Sequence, residues 1–223
     1  MPKQTFWNLP EEKREALVRI ALEEFANNDY VVASVSRVVA RAGIAKGSVY
    51  QYFEDKRDLF LYLLDYAQQT LLEARGGYAP PDPERGFFVS LRWQMGATVR
   101  AALAHPLEAR LVRRAYASSL PFHDEVLDRG RAVRREYLRR MVEQAVSRGE
   151  FAPTVDPAVA TMVIESVVAE LGPFLVEVLG LDPARAAEAD AALFDEPEVE
   201  RVFDDVIAIL ERGMGPNGGA PAG

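Results

Sequence analysis

The chain has 223 residues, and 49% of them are hydrophobic, so it can bury one or two cores and wholesale disorder is excluded. It has no cysteine, which excludes disulfides, thiol nucleophiles and zinc–thiolate sites. Charged residues interrupt every apolar stretch before about 18 residues, so we expect no transmembrane helix. The N-terminal sequence MPKQTFWNLPEEKRE lacks the apolar region of a signal peptide, and we therefore expect a cytoplasmic protein.

The net charge of −8 is unevenly distributed. Residues 1–75 carry 10 of the 26 basic and 11 of the 34 acidic side chains, so they are nearly neutral and most of the excess acid lies after them. Between Tyr30 and Phe53 there are three cations, Arg37, Arg41 and Lys46, and no acidic residue. Attraction to phosphate depends on the local patch more than on the total, so the acidic balance does not exclude a nucleic-acid partner.

Helical periodicity extends along the chain, and no strand is predicted. The first helix begins at Pro10 and ends near Asn27, the second begins at Ser34, and a short third helix ends near Phe53. A long fourth helix runs from Glu54 to about Ala74. Glycine and proline pairs then mark a boundary, and further helices are predicted at 83–104, 106–118, 122–148, 156–180 and 197–213, with a short extra helix at 184–193.

The segment Ser34–Phe53 carries the strongest functional signal. It predicts two short helices joined by a tight turn at Ala42-Gly43-Ile44, where glycine tolerates a backbone that other residues avoid. The second of these helices has an unusually polar side, with Lys46, Ser48, Tyr50, Gln51 and Tyr52. Cations, hydroxyls and amides on a short helix suit phosphates and base edges in a DNA groove, whereas the alternative is an ordinary helical hairpin of a core.

Residues 12–66 resemble the N-terminal domain of the TetR family of transcriptional regulators. The resemblance lies in Ala21-Leu22-Glu23-Glu24-Phe25, Ser34-Val35, Ala40-Arg41-Ala42-Gly43-Ile44, Gly47-Ser48-Val49-Tyr50-Gln51-Tyr52-Phe53 and Lys56-Arg57-Asp58-Leu59. It implies an all-α fold in which an N-terminal helix-turn-helix domain of three helices (1–54) is joined by a long fourth helix to a C-terminal helical bundle. That ligand-binding and dimerisation bundle would span 55–213, and a flexible tail would follow at 214–223.

The resemblance also implies roles for individual residues. Hydroxyls at the start of the second helix would contact phosphate, the start of the third would read bases, two tyrosines would contact the DNA backbone, and a lysine of the fourth helix would pair with phosphate. The expected DNA-binding residues are Ser34, Ser36, Arg37, Lys46, Gly47, Ser48, Tyr50, Gln51, Tyr52 and Lys56. Two positions depart from the family pattern: Asp29-Tyr30 replaces a glycine–aromatic pair, and Ala45 replaces a frequent serine.

The C-terminal helices contain aromatic and methionine side chains that would either fill the core or line a ligand cavity. The candidate ligand-binding residues are Phe88, Trp93, Met95, Tyr116, Phe122, Tyr137, Met141 and Met162. Several arginines between Arg110 and Arg140 would form either a solvated face or an anion clamp. The first expectation for the effector is a small apolar molecule such as a fatty acyl-CoA.

Segments 157–181 and 197–213 are apolar on more than one side, which favours either burial in the core or a homodimer interface. The resemblance implies the dimer, because two half-sites give the specificity that one short helix cannot supply.

The leading hypothesis is therefore a ligand-responsive repressor that a small effector releases from a palindromic operator. A ligand-independent DNA-binding structural or cell-division factor is the alternative. An enzyme is not expected, because neither His105 nor His123 has the spacing of a metal or catalytic site, and we predict no metal and no cofactor.

Overall fold

The computed structural model describes residues 1–45, 47–77, 82–117, 120–178, 180 and 197–216. Every regular element in these ranges is a helix, which confirms the all-α prediction. Three of the sequence predictions fall outside the described residues: the role of Lys46, the short helix at 184–193, and residues 217–223 of the tail.

The helices follow the predicted spans to within a few residues. In chain order they are α1 (Gln4–Trp7), α2 (Glu11–Asn27), α3 (Val35–Arg41), α4 (Ser48–Tyr52), α5 (Lys56–Gly76), α6 (Phe87–Ala104), α7 (Pro106–Ala117), α8 (His123–Ser147), α9 (Pro157–Val178) and α10 (Pro197–Met214), with a 3₁₀ turn at Pro83–Arg85. The helix-turn-helix is α3 and α4, and α5 is the long fourth helix of the prediction. Only α1 has no counterpart in the sequence analysis.

The described helices pack into two compact units. Unit 1 comprises Met1–Glu73 and His105–Leu127, whereas unit 2 comprises Ala74–Ala104 and Asp128–Gly223. Helix α7 and the start of α8 therefore belong to the unit that contains the helix-turn-helix, where α7 packs against α2, although they follow α6 in the sequence. The boundary predicted after residue 54 differs from the boundary between these packed units, and as a division between a DNA-binding and a ligand-binding part it stays a prediction.

Unit 1 has a core rich in aromatic side chains. Phe25 lies against Tyr30 and Phe60, with ring centroids 6.3 and 5.6 Å away. Phe122, just before α8, closes this group with its ring 4.9 Å from that of Tyr30. Aliphatic side chains from α2, α3, α5 and α7 fill the remaining space, including Leu17, Leu22, Val38, Val39, Leu63, Leu64 and Leu111. These contacts hold the helix-turn-helix on a rigid support.

Unit 2 has a more aliphatic core, built by α6, α8, α9 and α10. Its aromatic contribution is a group of Phe87, Phe88 and Phe151, whose rings lie 4.9 to 5.6 Å apart. The buried aliphatic side chains include Leu91, Met95, Val99, Val142, Ile164, Leu171, Leu175 and Leu210, and Phe203 of α10 is buried among them.

Helix α9 is long and apolar enough to cross a membrane by length and composition alone, a test that core helices of other proteins also pass. The expectation of no transmembrane helix stays a prediction. Ala160, Ile164 and Leu175 are nevertheless buried in unit 2, so one side of the helix belongs to a protein core. Only 28% of its apolar window is buried by the described part of the chain, so much of its apolar surface is exposed there.

Candidate functional site

The turn between α3 and α4 is fixed by hydrogen bonds that the sequence encodes locally. Gly43 has a φ of 65°, the left-handed conformation that glycine adopts at little cost. Its N–H donates to the Ala40 carbonyl over 3.3 Å, and the Ile44 N–H donates to the Val39 carbonyl over 3.1 Å. This pair of bonds is the Schellman arrangement that ends a helix and satisfies its last carbonyls. The direction in which α4 leaves α3 is thereby set.

Helix α4 has one buried side and one exposed side. Val49 and the following Phe53 are buried in unit 1. Tyr50, which is 47% exposed, and Gln51 lie on the surface together with the preceding Gly47, whereas Ser48 and Tyr52 are half-buried. Four of the predicted DNA-binding residues thus lie on α4 and a fifth, Gly47, is its N-cap, so the exposed side of this short element carries them together.

The first turn of α3 is held from below by a buried carboxylate. Glu24 of α2 is only 5% exposed, and its Oε1 accepts the backbone N–H of Ser34 at 2.9 Å and the Arg37 Nε at 2.9 Å. Burial raises the pKa of Glu24, but the hydrogen bonds and positive charge of Arg37, with the Ser34 N–H, outweigh burial and lower this pKa overall. The same ion pair raises the pKa of Arg37.

Arg37 is therefore committed to internal contacts, although the sequence predicted it near phosphate. Its guanidinium also donates to the Val32 carbonyl at 2.9 Å. Ser34 caps α3, its Oγ accepting the Arg37 N–H at 3.4 Å, while Ser36 is exposed. Whether these residues contact DNA stays a prediction, but the geometry gives Arg37 a second task, which is to hold α3 on α2.

Lys56 lies at the start of α5, beside the same surface. Its Nζ lies 4.5 Å from the ring centroid of Tyr30 and donates to the Val31 carbonyl at 3.4 Å. Burial lowers the pKa of Lys56, and the positive charge of Arg37 lowers it further. The ammonium is thus oriented by an aromatic ring and a backbone carbonyl of the loop that precedes α3.

Polar contacts also tie α7 and the start of α8 to α2 and α5 within unit 1. Arg110 donates to the Asn27 side chain, and Arg114 Nη1 lies 2.7 Å from Asp29 Oδ1. Arg57 of α5 pairs with Glu125 of α8. Asp29, which departs from the family pattern, therefore has a specific partner in this chain.

Unit 2 contains a cavity of about 610 Å³ between the 3₁₀ turn, α6 and α10, within the size range of small-molecule sites. Its lining combines large apolar side chains with three arginines and three glutamates. The apolar members are Phe87, Phe88, Val89, Trp93, Phe203 and Ile207, and the charged members are Arg85, Arg92, Arg100, Glu150, Glu200 and Glu211. Arg92 links the two helices through a 2.7 Å contact with Asp204 and a pair with Glu200.

The structure brings four of the predicted ligand residues to cavities. Phe88 lines the large cavity, Tyr137 and Met141 line a neighbouring one of about 220 Å³, and Trp93 lines both. The other four lie elsewhere: Met95 is fully buried in the core of unit 2, Met162 is exposed on α9, and Tyr116 and Phe122 belong to unit 1.

The sequence analysis missed the contributions of α10 and of Arg92 to the cavity. No described arginine of the run Arg110–Arg140 lines either cavity, whereas Arg139 and Arg140 pair with Glu136 on α8. Arg92 was the signal that could have revealed this site, because it is an arginine in a mainly apolar stretch of α6. Such an arginine needs an acidic partner, and here Glu200 and Asp204 of α10 provide it.

These features define a class: a helix-turn-helix protein with a second helical unit that contains a cavity. Residues 17–63 match the family described as "Bacterial regulatory proteins, tetR family", and residues 85–215 match "Tetracyclin repressor-like, C-terminal domain". The second match alone covers more than half of the chain. The chain therefore belongs to the TetR family of transcriptional regulators, as the resemblance predicted.

Individual relatives agree with this assignment. A TetR family transcriptional regulator from Chloroflexus aurantiacus J-10-FL superposes with a TM-score of 0.84 at 36% identity, over 96% of this chain and 99% of that one. The HTH-type transcriptional regulator AcrR of Shigella flexneri is 25% identical over 118 residues, which are 51% of this chain and only about half (49%) of AcrR. FadR from Bacillus subtilis, solved with stearoyl-CoA, shares the fold at 16% identity, with a TM-score of 0.62 over 89% of this chain and 98% of FadR.

Proposed function

We propose that this protein is a homodimeric repressor that binds a palindromic operator through α3, the turn and α4, and that a small apolar effector releases it. The observation that carries the proposal is the exposed polar face of α4, with Gly47, Tyr50 and Gln51, on a helix whose other face is buried. A five-residue helix is only marginally stable by itself, so the burial of Val49 and Phe53 on its other side is what fixes the direction in which these residues face solvent and a binding partner.

The chemistry of this face suits double-stranded DNA. Ser36 provides an exposed hydroxyl for phosphate, and the start of α4 provides a glycine where the backbone can approach closely. Tyr50 and Gln51 offer a hydroxyl and an amide for the DNA backbone and a base edge. Lys56 supplies a cation at the edge of the surface, whereas Arg37 acts indirectly by holding α3.

Dimerisation accounts for the uncovered side of α9. Val159, Met162, Phe174 and Val178 recur at helical spacing along it, and all four are about half-exposed. Glu165 and Glu170 lie within the same helix, which makes a lipid environment costly, whereas a second copy of an amphipathic helix can cover the apolar side. We propose 157–181 and 197–213 as the interface; residues 179 and 181 of the first segment lie outside the described part of the chain.

The effector would occupy the cavity of unit 2. Its aromatic and aliphatic lining suits an acyl chain or a similarly apolar body, and the arginines of the lining suit a single anionic end. FadR, which shares the fold, was solved with stearoyl-CoA, and this supports a fatty acyl-CoA as the first effector to test.

The response is a shift of population between DNA-binding and released states, which requires the effector to bind the two states with different affinities. We propose that the contacts of Arg110 with Asn27 and of Arg114 with Asp29 make the position of α2 depend on α7. We also propose that the protein is cytoplasmic and acts by binding rather than by turnover.

The DNA claim is tested by selecting duplexes from a random pool with the wild-type protein and measuring affinity by fluorescence anisotropy. We expect an enriched palindrome whose affinity falls steeply with salt, because phosphate contacts release counterions. Gln51→Ala should reduce discrimination between the selected and the random duplex by about tenfold, the value of one good base contact. Gln69→Ala, an exposed glutamine on α5, is the matched control, and failure of wild-type protein to enrich any sequence would reject the proposal.

The effector claim is tested by native mass spectrometry of the purified protein and by adding palmitoyl-CoA to the protein–duplex complex. We expect a retained apolar ligand or release of DNA by palmitoyl-CoA but not by CoA, and weaker release with Trp93→Ala. If no small molecule releases the duplex and a protein partner copurifies in fixed ratio, the alternative of a ligand-independent DNA-binding structural factor is favoured.

A further inference from the structure

The C-terminal end of α4 cannot be stabilised by its own hydrogen bonds. The last carbonyls of any helix lack partners within that helix, and in α4 they belong to the residues that carry the proposed DNA contacts. Phe53, which follows, already has extended backbone angles (φ −128°, ψ 151°), so the chain leaves the helix at once. The Phe53 N–H satisfies the Val49 carbonyl at 2.8 Å, which leaves the carbonyls of Tyr50, Gln51 and Tyr52 to be satisfied from elsewhere.

All three carbonyls accept hydrogen bonds from the N-terminal segment, residues Lys3–Trp7. The Lys3 N–H donates to the Tyr52 carbonyl at 2.7 Å, and the Lys3 Nζ donates to the Tyr50 carbonyl at 3.0 Å. The Thr5 hydroxyl donates to the Gln51 carbonyl. Two residues at the start of the chain thus satisfy three consecutive carbonyls of a helix more than 40 positions away.

The N-terminal segment is itself fixed by one buried ring. Phe6 is 0% exposed, and its centroid lies 5.1 Å from that of Phe53 and 5.2 Å from that of Tyr62 on α5. Helix α1 has only four residues, so its position depends on this contact rather than on helix propensity. Phe6 thereby connects the residue after α4 to the long helix α5.

Charge supports the same arrangement. The Lys3 ammonium lies at the C-terminal, partially negative end of α4, where a cation is favourable. It also lies 2.8 Å from Oε2 of Glu54, the second residue after the helix. The cation is therefore oriented by two acceptors along the end of α4.

We infer that Lys3, Thr5 and Phe6 are positioning residues for DNA recognition, which set the orientation of α4 and so determine operator affinity and discrimination. This rests on the proposed function. The held carbonyls belong to Tyr50 and Gln51 themselves, so a shift of the N-terminal segment moves the residues that would touch DNA. Side chains that recognise a ligand must be held within about 0.5 Å of their productive positions. The N-terminal segment helps to hold those of α4, although it lies outside the helix-turn-helix.

The sharpest test is Thr5→Val, which removes the donated hydroxyl but preserves shape and charge. We expect affinity for the selected palindrome to fall about five- to tenfold, the effect of one hydrogen bond, with little change on a random-sequence duplex. Thr5→Ser should restore binding, because it restores the hydroxyl. Gln4→Ala is the matched control, since the Gln4 side chain contacts Asn8 rather than α4.

Lys3→Met is the second variant, and hydrogen exchange of the amides of residues 49–53 is the second measurement. Faster exchange in both variants, at temperatures well below unfolding, is the expected result. A merely structural role would lower the thermal midpoint and weaken binding to both duplexes equally, and that outcome overturns the inference. The inference is also overturned if Thr5→Val binds the palindrome with the affinity of the wild-type protein and its amides exchange at the wild-type rate. Failure of the wild-type protein to select any sequence would instead reject the proposed function itself.

Discussion

The two compact units are built with different kinds of contact. In unit 1, specific polar bonds and packed aromatic rings fix each helix against the next, as in the Glu24–Arg37 pair and the group of Phe25, Tyr30 and Phe60. Unit 2 instead has a largely aliphatic core, a cavity of about 610 Å³ and an apolar helix face that remains half-exposed. The helices of unit 1 are thus held by directional contacts, whereas unit 2 contains an unfilled cavity and an exposed apolar helix face.

This difference corresponds to two different tasks. Reading a DNA groove requires side chains at fixed positions, and directional hydrogen bonds and stacked rings provide that precision. Accepting an apolar molecule and a second subunit requires apolar area that the chain itself does not fill. The comparison predicts that substitutions in unit 1 act mainly on stability and DNA affinity, while substitutions in unit 2 act mainly on assembly and effector binding.

The largest expected effect concerns the exposed face of α9. Phe174→Asp would place a carboxylate from each protomer in the apolar interface, and we expect the dimer dissociation constant to rise about 1,000-fold because buried unpaired charges are costly. Light scattering should show a mass near 24.8 kDa for the variant and twice that for the wild-type protein. Leu72→Asp, at an exposed apolar position of α5, is the matched control and should stay dimeric. A dimeric Phe174→Asp would place the interface elsewhere.

A smaller effect is expected at the buried carboxylate of unit 1. Glu24→Ala leaves the Ser34 N–H and Arg37 without their shared acceptor, and we expect a loss of about 2–3 kcal/mol in the free energy of unfolding because one partner is buried and the other half-exposed. Urea denaturation measures this loss. The neighbouring residue offers the control: Glu23 pairs with Arg41 at the surface, so Glu23→Ala should cost under about 1 kcal/mol. Equal losses would mean that the two ion pairs do not differ as their burial suggests.

The smallest effect is a pH dependence of that same group. The pKa of Glu24 is lower in the folded chain than its ordinary value of 4.5, so its ionisation stabilises the fold above that value. This contribution is lost as the pH falls below 4.5 and through the folded-state pKa. The stability difference between wild type and Glu24→Gln, measured by urea denaturation from pH 7 to pH 3, should therefore shrink on acidification. A difference that is constant or growing toward low pH would contradict the sign of the shift.

Local signals in the sequence predicted much of unit 1. Apolar residues at helical spacing gave α2, α3 and α5, and Gly43 marked the turn, because these features depend only on residues a few positions apart. The four-residue helix α1 had no such signal, since it is too short for a periodic pattern and Phe6 is buried by contacts more than 40 residues away. The role of Lys3 and Thr5 was therefore invisible in the sequence.

The cavity of unit 2 shows the same limit of sequence-based prediction more strongly. Phe88 and Trp93 were predicted to line a ligand site because they are aromatic, but Met95, equally apolar and nearby on α6, faces the core instead. Which side of α6 meets the cavity depends on Phe203 and Ile207 of α10, about 110 residues later. Tyr116 and Phe122 were expected at the ligand and instead pack with unit 1, because α7 and the start of α8 join α2.

The sequence by itself determined the helical class, the helix spans, the turn of the helix-turn-helix and the family, because each of these follows from short-range spacing and residue type. Tertiary structure alone decided that Glu24 holds Arg37 and Ser34, that the N-terminal segment supports α4, and which side chains surround the cavity. These depend on which helix faces meet, and that is set by the packing of apolar surfaces from distant parts of the chain.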